Sequence, residues 1–415
     1  MYKNNKYLLG ISLLLGTQCG TAWSEGFLKD SKATFSTRNF YMNRDFRDGA
    51  GQSKREEWAQ GLMLDFKSGY TPGPVGVGFD ALGMLGLKLD SSPDRIGTGL
   101  LPVHDDGRAP GEYSKLGLTG KLRVSKSELR LGTLIPDLPS VQSNNGRLFP
   151  QLFRGAMLSV EEIDHLTITA GRLNSVTDRD QTASQDLALN NKNERFSGTV
   201  QADHFNFAGF DYAFTQGLTG RYHYSTLEDV YRQHFLGLLS KQSVGGGTLD
   251  FDLRLAISED QGKALAGSIE NRALNGMVSY ALDGHRVGAG YQRMYGDNAF
   301  PYLDGTDPFL VNFVQINDFA GAQERSWQLR YDYNFAAIGV PGLTFMTRYV
   351  KGDHVELHSG AQGEEWERNT ELQYTLQSGP LKNVNVRWRN ASYRSGFARD
   401  TDENRLIISY ILPLL

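Results

Sequence analysis

Apolar and polar residues alternate one for one along most of this chain. Across 326–335, Trp327, Leu329, Tyr331, Tyr333 and Phe335 take every second place, with Ser326, Gln328, Arg330, Asp332 and Asn334 between them. Leu249, Phe251, Leu253, Leu255 and Ile257 do the same against Asp250, Asp252 and Arg254, as do Val384, Val386 and Trp388 against Asn385, Arg387 and Arg389. Successive side chains of a strand point to opposite faces, so each segment reads as a strand with one apolar and one polar face. Comparable stretches lie at 31–42, 57–68, 74–82, 113–124, 127–133, 164–172 and 218–225. They continue at 272–282, 284–294, 309–318, 342–350, 368–377 and 404–414. Some neighbours are split by tight turn signals such as Asp283-Gly284, and others by long polar loops at 91–112, 174–194 and 353–365. Short turns alternating with long loops predict an outer-membrane barrel, with short periplasmic turns and longer external loops.

A secreted β-sandwich or β-helix also alternates. No fixed-length repeat is present, which disfavours the β-helix. The polar face carries arginines and carboxylates strand after strand, too many charges for a sandwich core but suited to a water-filled lumen. The fold class expected is therefore all-β, a transmembrane antiparallel β-barrel. The apolar final stretch, with Leu406, Ile408, Tyr410, Leu412 and Leu414 on one face, fits a last strand that closes such a barrel.

Composition narrows the function. The 415 residues carry a formal charge of −4, without the basic excess of a nucleic-acid binder. The single cysteine, Cys19, makes no internal disulfide, and no Cys/His spacing suits zinc. Beyond the first 24 residues no apolar run approaches the ~18 residues of a membrane helix. Those first 24 read as an export signal: Lys3 and Lys6 precede the apolar run 7–15, and Ala22-Trp23-Ser24 offers small residues for cleavage. Gln18 before Cys19 argues against a lipobox. The expected organisation is thus a signal peptide, 1–24, and a single barrel domain, 25–415, exported to a Gram-negative outer membrane.

Several phrases resemble the OprD family of substrate-specific porins, also called outer-membrane carboxylate channels. They are Gly26-Phe27 through Arg38-Asn39-Phe40-Tyr41, then Trp58-Ala59-Gln60-Gly61 and Gly76-Val77-Gly78-Phe79-Asp80-Ala81. Further along come Leu227-Glu228-Asp229-Val230-Tyr231-Arg232-Gln233, Gly339-Val340-Pro341-Gly342-Leu343-Thr344-Phe345 and Glu403-Asn404-Arg405-Leu406-Ile407. They keep family order across nearly the whole chain after residue 24. The resemblance implies about 18 strands, a monomer or loose homotrimer, and long external loops folded into a narrow lumen. It also implies small carboxylate-bearing solutes, either basic amino acids or organic and aromatic acids.

The alternation puts Arg38, Arg123, Arg130, Arg254, Arg330, Arg348, Arg387, Arg389 and Arg405 on the polar face. Turning one toward lipid at mid-membrane would cost ~2–4 kcal/mol, so that face is the lumen. Arginine's fixed fork of donors matches a carboxylate, and a row of them offers an anion successive similar sites. Because the last strands neighbour the first in a closed barrel, Arg330, Arg348, Arg387, Arg389, Arg405 and Arg38 are expected to form one basic wall, where the resemblance also implies a basic ladder. The competing reading is that these arginines only pair with wall acids such as Asp332 and Glu371. Loop 132–150 sits where the family's constricting loop lies and offers Ser140, Ser143, Asn144 and Asn145. Loop 295–309 offers Asp297, Asp304 and Asp307, expected either to face the arginines or to hold divalent ions among lipopolysaccharide headgroups.

No GxSxG elbow or Ser–His linkage points to a barrel enzyme, and Gly76-Val77-Gly78 lacks the rest of a dinucleotide motif. No cofactor, metal or nucleic acid is expected. The partners expected are outer-membrane lipid, lipopolysaccharide and the transported carboxylates. The function expected is passive, substrate-specific uptake, with a structural, adhesive or enzymatic barrel as the alternative.

Overall fold

The computed structural model describes residues 24–415; the expected export signal, apart from Ser24, lies outside them. After a short helical turn, Ser24–Leu28, the chain runs through eighteen long strands. The first nine are β1 (Lys32–Phe46), β2 (Lys54–Lys67), β3 (Val75–Asp90), β4 (Glu112–Val124), β5 (Ser127–Leu134), β6 (Leu152–Val160), β7 (Leu166–Thr177), β8 (Phe205–Thr215) and β9 (Leu218–Leu227). The rest are β10 (Tyr231–Val244), β11 (Gly247–Asp260), β12 (Glu270–Leu282), β13 (His285–Tyr295), β14 (Arg325–Asn334), β15 (Leu343–Glu356), β16 (Gln362–Thr375), β17 (Asn385–Ser395) and β18 (Thr401–Pro413). Each pairs antiparallel with its sequence neighbours, and β18 pairs back onto β1. The seam has the register Phe35↔Leu412 and Tyr41↔Leu406, so no strand edge is left open.

Alternation makes the wall. Along β4 every second residue from Tyr113 to Leu122 changes face: Leu116 and Leu118 are 68% and 57% exposed toward the membrane, whereas Lys115 and Lys121 are 5% and 6% exposed on the lumen side. One end of the barrel is closed by tight connections. Gly245-Gly246 and Asp283-Gly284 each put two successive residues at positive φ, the geometry of a type I′ hairpin turn. The other end carries the long loops 91–111, 135–151, 178–204 and 296–324. By parity of the strands this is the external end.

These loops turn inward and build a core inside the barrel. Leu100 and Leu101 pack with Leu148 and Phe149 against Phe40 and Met42 of β1. Leu187, Leu189 and Phe196 pack with Ala299 and Leu303 against Phe153, Phe205 and Tyr231. This inner packing accounts for the departures from the sequence reading. Residues 309–318 are not a strand but part of the inward loop, with Asn312 and Asn317 buried and Val314 packed beneath it. Strands β6, β8 and β10 escape the simple alternation because loops cover their lumen face: Phe205 and Phe207 point inward while Phe210 and Tyr212 point out. β7 runs on to Thr177 and β15 to Glu356, so the loops expected at 174–194 and 353–365 are instead 178–204 and the short 357–361.

Candidate functional site

The inward arginines of β14 to β1 share one side of the lumen. Arg330 lies directly opposite Arg348 on the neighbouring strand, and Arg389 directly opposite Arg405. Arg330 holds Asp332 with two hydrogen bonds of 2.8 and 2.7 Å, and Arg348 Nε donates to Asn369 at 2.7 Å. Arg387 donates to Glu371 Oε2 at 2.8 Å, and Arg389 Nε lies 3.1 Å from the same oxygen. Arg405 donates to Glu403 at 2.6 Å and reaches the carbonyls of Gly146 at 3.4 Å and Gln315 at 3.2 Å. Arg38 donates to Asn145 Oδ1 at 3.1 Å and to the carbonyls of Arg147 and Leu148. Arg38, Arg330, Arg348, Arg387, Arg389 and Arg405 all have the inward parity of their strands. Arg123, Arg130 and Arg254 also face inward but lie elsewhere, against Tyr70, Glu128 and Asp252.

Two inward loops meet this wall at Arg405. Glu367 of β16 accepts the backbone N–H groups of Gln315, Ile316 and Asn317 at 2.8–3.1 Å, clamping loop 296–324 onto the barrel. Loop 135–151 is held from the other side through Asn144. Its Oδ1 accepts from Arg179 and from the Gly146 N–H, both at 2.8 Å, and its Nδ2 donates to Asp307. Asn144 is therefore a joint between three loops, with both ends of its amide engaged. Asp304 accepts from Asn190 at 2.8 Å and is likewise a loop tie. Asp297 is exposed just past the end of β13, and Asp304 and Asp307 are tied to neighbouring loops; the reading of these three carboxylates as facing the wall arginines is corrected on that ground. The Ser140 and Ser143 hydroxyls are buried and make no hydrogen bond with the protein.

Several residues beside the site were outside the sequence reading. Arg44 donates to Glu403 at 2.7 Å. It continues the inward parity of Arg38 along β1, two residues beyond the stretch expected to be strand. Arg147 and Arg179 sit in loops, where alternation carries no signal. Burial, then the neighbouring guanidinium groups of Arg405 and Arg179, press the Arg147 pKa well below its usual value. Burial pushes the Asp307 carboxyl up to about 6, against Arg179, Asn144 and Arg147, which favour its charged form. Asp318 is buried too, yet the paired guanidinium of Arg195 at 2.6 and 2.7 Å and the ammonium of Lys192 hold it below the usual carboxylate range.

A cavity of about 600 Å³ opens toward the external end, bordered by Arg44, Lys192, His358 and Arg399. A second of about 810 Å³ lies on the turn side, bordered by Arg330, Arg348, Arg387, Arg389 and Glu371. Arginines thus border both cavities, and Arg405 reaches the carbonyls of loops 135–151 and 296–324.

Residues 25–414 match the family described as outer membrane porin, OprD family. Porin-like protein GalP of Pseudomonas putida is 42% identical over 400 residues, covering 95% of each chain. Pseudomonas aeruginosa OccK5 (OpdH) is 61% identical, and its crystal structure superposes with a TM-score of 0.85 over 94% of this chain and 100% of that one. Pseudomonas aeruginosa OpdK, solved with vanillate, is 43% identical with a TM-score of 0.88 over 94% and 100% of the two chains. A closed 18-stranded barrel narrowed by its own loops agrees with these matches in architecture as well as in sequence, and the chain belongs to the OprD family of outer-membrane porins, channels and not enzymes.

Proposed function

We propose that this substrate-specific outer-membrane channel takes up small carboxylate-bearing solutes along the arginine wall. The observation that carries the reading is the sharing of acids: Arg387 and Arg389 have one carboxylate, Glu371, between them, and Arg44 and Arg405 have one, Glu403. Arg348 and Arg38 have only neutral partners. The wall keeps more positive charge than its own acids neutralise, and a passing carboxylate supplies the missing partner. Residues two apart on a strand are ~7 Å apart, so the anion moves from fork to fork by small steps, none deep enough to hold it. The related OpdK, solved with vanillate, is consistent with an anion of this kind. In this reading Arg38 borders the narrow passage, Arg405 and the Ser140 and Ser143 hydroxyls lie buried in the loop packing beside it, and the remaining arginines feed and drain it. Residues 1–24 act as the export signal, which N-terminal sequencing of the membrane-embedded protein would test by giving Glu25 first.

The test of the function is electrical. The purified protein in planar bilayers is expected to give small anion-preferring currents that benzoate blocks and a neutral sugar does not. Large unselective currents, or block unaffected by Arg387→Ala with Arg389→Ala, would overturn the arginine-guided reading.

A further inference from the structure

The outside of the barrel carries a second set of cations. Following the strand pairings around the wall, no arginine or lysine points outward in the half of any strand next to the tight turns, among the described residues. That interface is lined by residues such as Phe251, Tyr280, Val287, Tyr333 and Leu412. The external half is different. From β12 to β17, Arg272, Arg293, Arg325, Lys351, Arg368 and Arg394 share the outward face with Trp327, Tyr349 and Trp366.

Three of these cations have anchors: Arg325 at 2.7 Å from Asp353, Lys351 at 3.0 Å from Glu364 and Arg394 at 3.0 Å from Asp402. The other three have no hydrogen-bonded carboxylate, and Arg293 lies instead over the Tyr295 ring at 4.6 Å. Arg368 is exposed and has no ion pair or side-chain hydrogen bond, and the Nε of Arg293 is buried without a partner. Arg272 comes no nearer than 3.6 Å to Glu270. Arg293 and Arg325 are directly opposite each other across β13 and β14, a like-charge pairing that costs stability unless an anion sits over it. Arginine at a lipid-facing position is costly as well, unless it lies at headgroup depth. The aromatic rings mark that depth: Trp327 and Tyr349 lie 5.6 Å apart, and Tyr349 and Trp366 stack at 5.7 Å.

We propose that this outward arc docks the phosphorylated glucosamine headgroup of an outer-leaflet lipid of the lipid A type, one phosphate seated over Arg293 and Arg325 and a second reached by Arg368. The charge complementarity is local and one-sided. Guanidinium forks bind phosphate oxygens in pairs, and the same face at the turn end, where ordinary phospholipid lies, has no such cation.

Native mass spectrometry of the full barrel, released from one detergent, tests this with three lipids: diphosphorylated lipid A, the same lipid without phosphate, and phosphatidylglycerol. The expected result is retention of diphosphorylated lipid A alone, falling on the order of tenfold or more in Arg293→Gln with Arg325→Gln and Arg368→Gln. Arg172→Gln, outward on the opposite side of the barrel, should leave retention unchanged. Equal retention of phosphatidylglycerol, or retention indifferent to the triple change while heat-modifiable gel mobility shows the barrel folded, would overturn the proposal. The comparison of the three lipids on the unaltered protein stands even if the triple variant fails to fold.

Discussion

Two sides of one lumen handle charge in opposite ways. On the side from β3 to β13, Lys121, Arg221, Arg254 and Arg286 each have a carboxylate of their own: Asp80, Asp211, Asp252 and Asp250. On the side from β14 to β1 only Arg330 has an acid of its own, Asp332; the other arginines share acids two to one or lean on neutral amides and carbonyls. The first arrangement satisfies itself and shapes a wet tube. The second leaves like charges opposed, Arg330 to Arg348 and Arg389 to Arg405, a pairing that costs stability in a sheet and that an optimiser of stability alone would remove. What separates the two sides is whether a fork has a carboxylate to itself or shares one.

The largest effect is expected where two arginines share one acid. Arg387→Ala with Arg389→Ala strands Glu371 as an unpaired acid, and block by benzoate in a planar bilayer is expected to weaken on the order of tenfold to a hundredfold, with anion preference lost. Glu371→Gln sharpens the contrast in the other direction. It frees two arginines together, so benzoate should bind several-fold more tightly and each blocking event should last longer, read from dwell times. A smaller effect belongs to the loop joint. The Asp307 carboxyl, raised to about 6, stabilises the folded loops when protonated, a contribution present in full below the ordinary carboxylate pKa and lost as pH rises through about 6. Current fluctuations from loop motion should therefore increase between about pH 4 and 6 and level off above, and Asp307→Asn should flatten that step. The smallest effect is expected on the self-satisfied side. Neutralising a pair together, Arg254→Gln with Asp252→Asn, should change anion preference by less than about twofold, measured as reversal potential in a salt gradient.

How much of this was legible in the sequence depends on which side of a strand faced what. β4, β11 and β14 have lipid on one face and polar or charged residues along much of the other, so their alternation is clean and their inward arginines could be assigned by parity alone. β8 has lipid on one face and a packed loop on the other, so Phe205, Phe207, Phe210 and Tyr212 look apolar throughout and the period disappears. Residues 309–318 mimic a strand for the converse reason, since a segment clamped by Glu367 between wall and lumen mixes buried amides with apolar residues much as a strand does. The number of strands came from resemblance, because alternation cannot count strands whose faces are both covered. The inward parity of Arg330, Arg348, Arg387, Arg389, Arg405 and Arg38 was legible as a group. Arg147, Arg179 and the joint at Asn144 were not, since which loop bends inward is decided by contacts made far away in sequence.

The seam between β1 and β18 has a consequence for how the channel comes into being. The first strand of the barrel has β18 as one of its two neighbours, so the earliest wall to emerge from export waits for the last. Until then both edges carry unpaired backbone groups that lipid cannot satisfy. The basic wall spans that seam, with Arg38 and Arg44 contributed from one edge and Arg405 from the other. Selectivity and closure are therefore one event: a chain stopped before β18 is not a less selective pore but an open sheet, unfit for the bilayer and an evident target for periplasmic proteolysis.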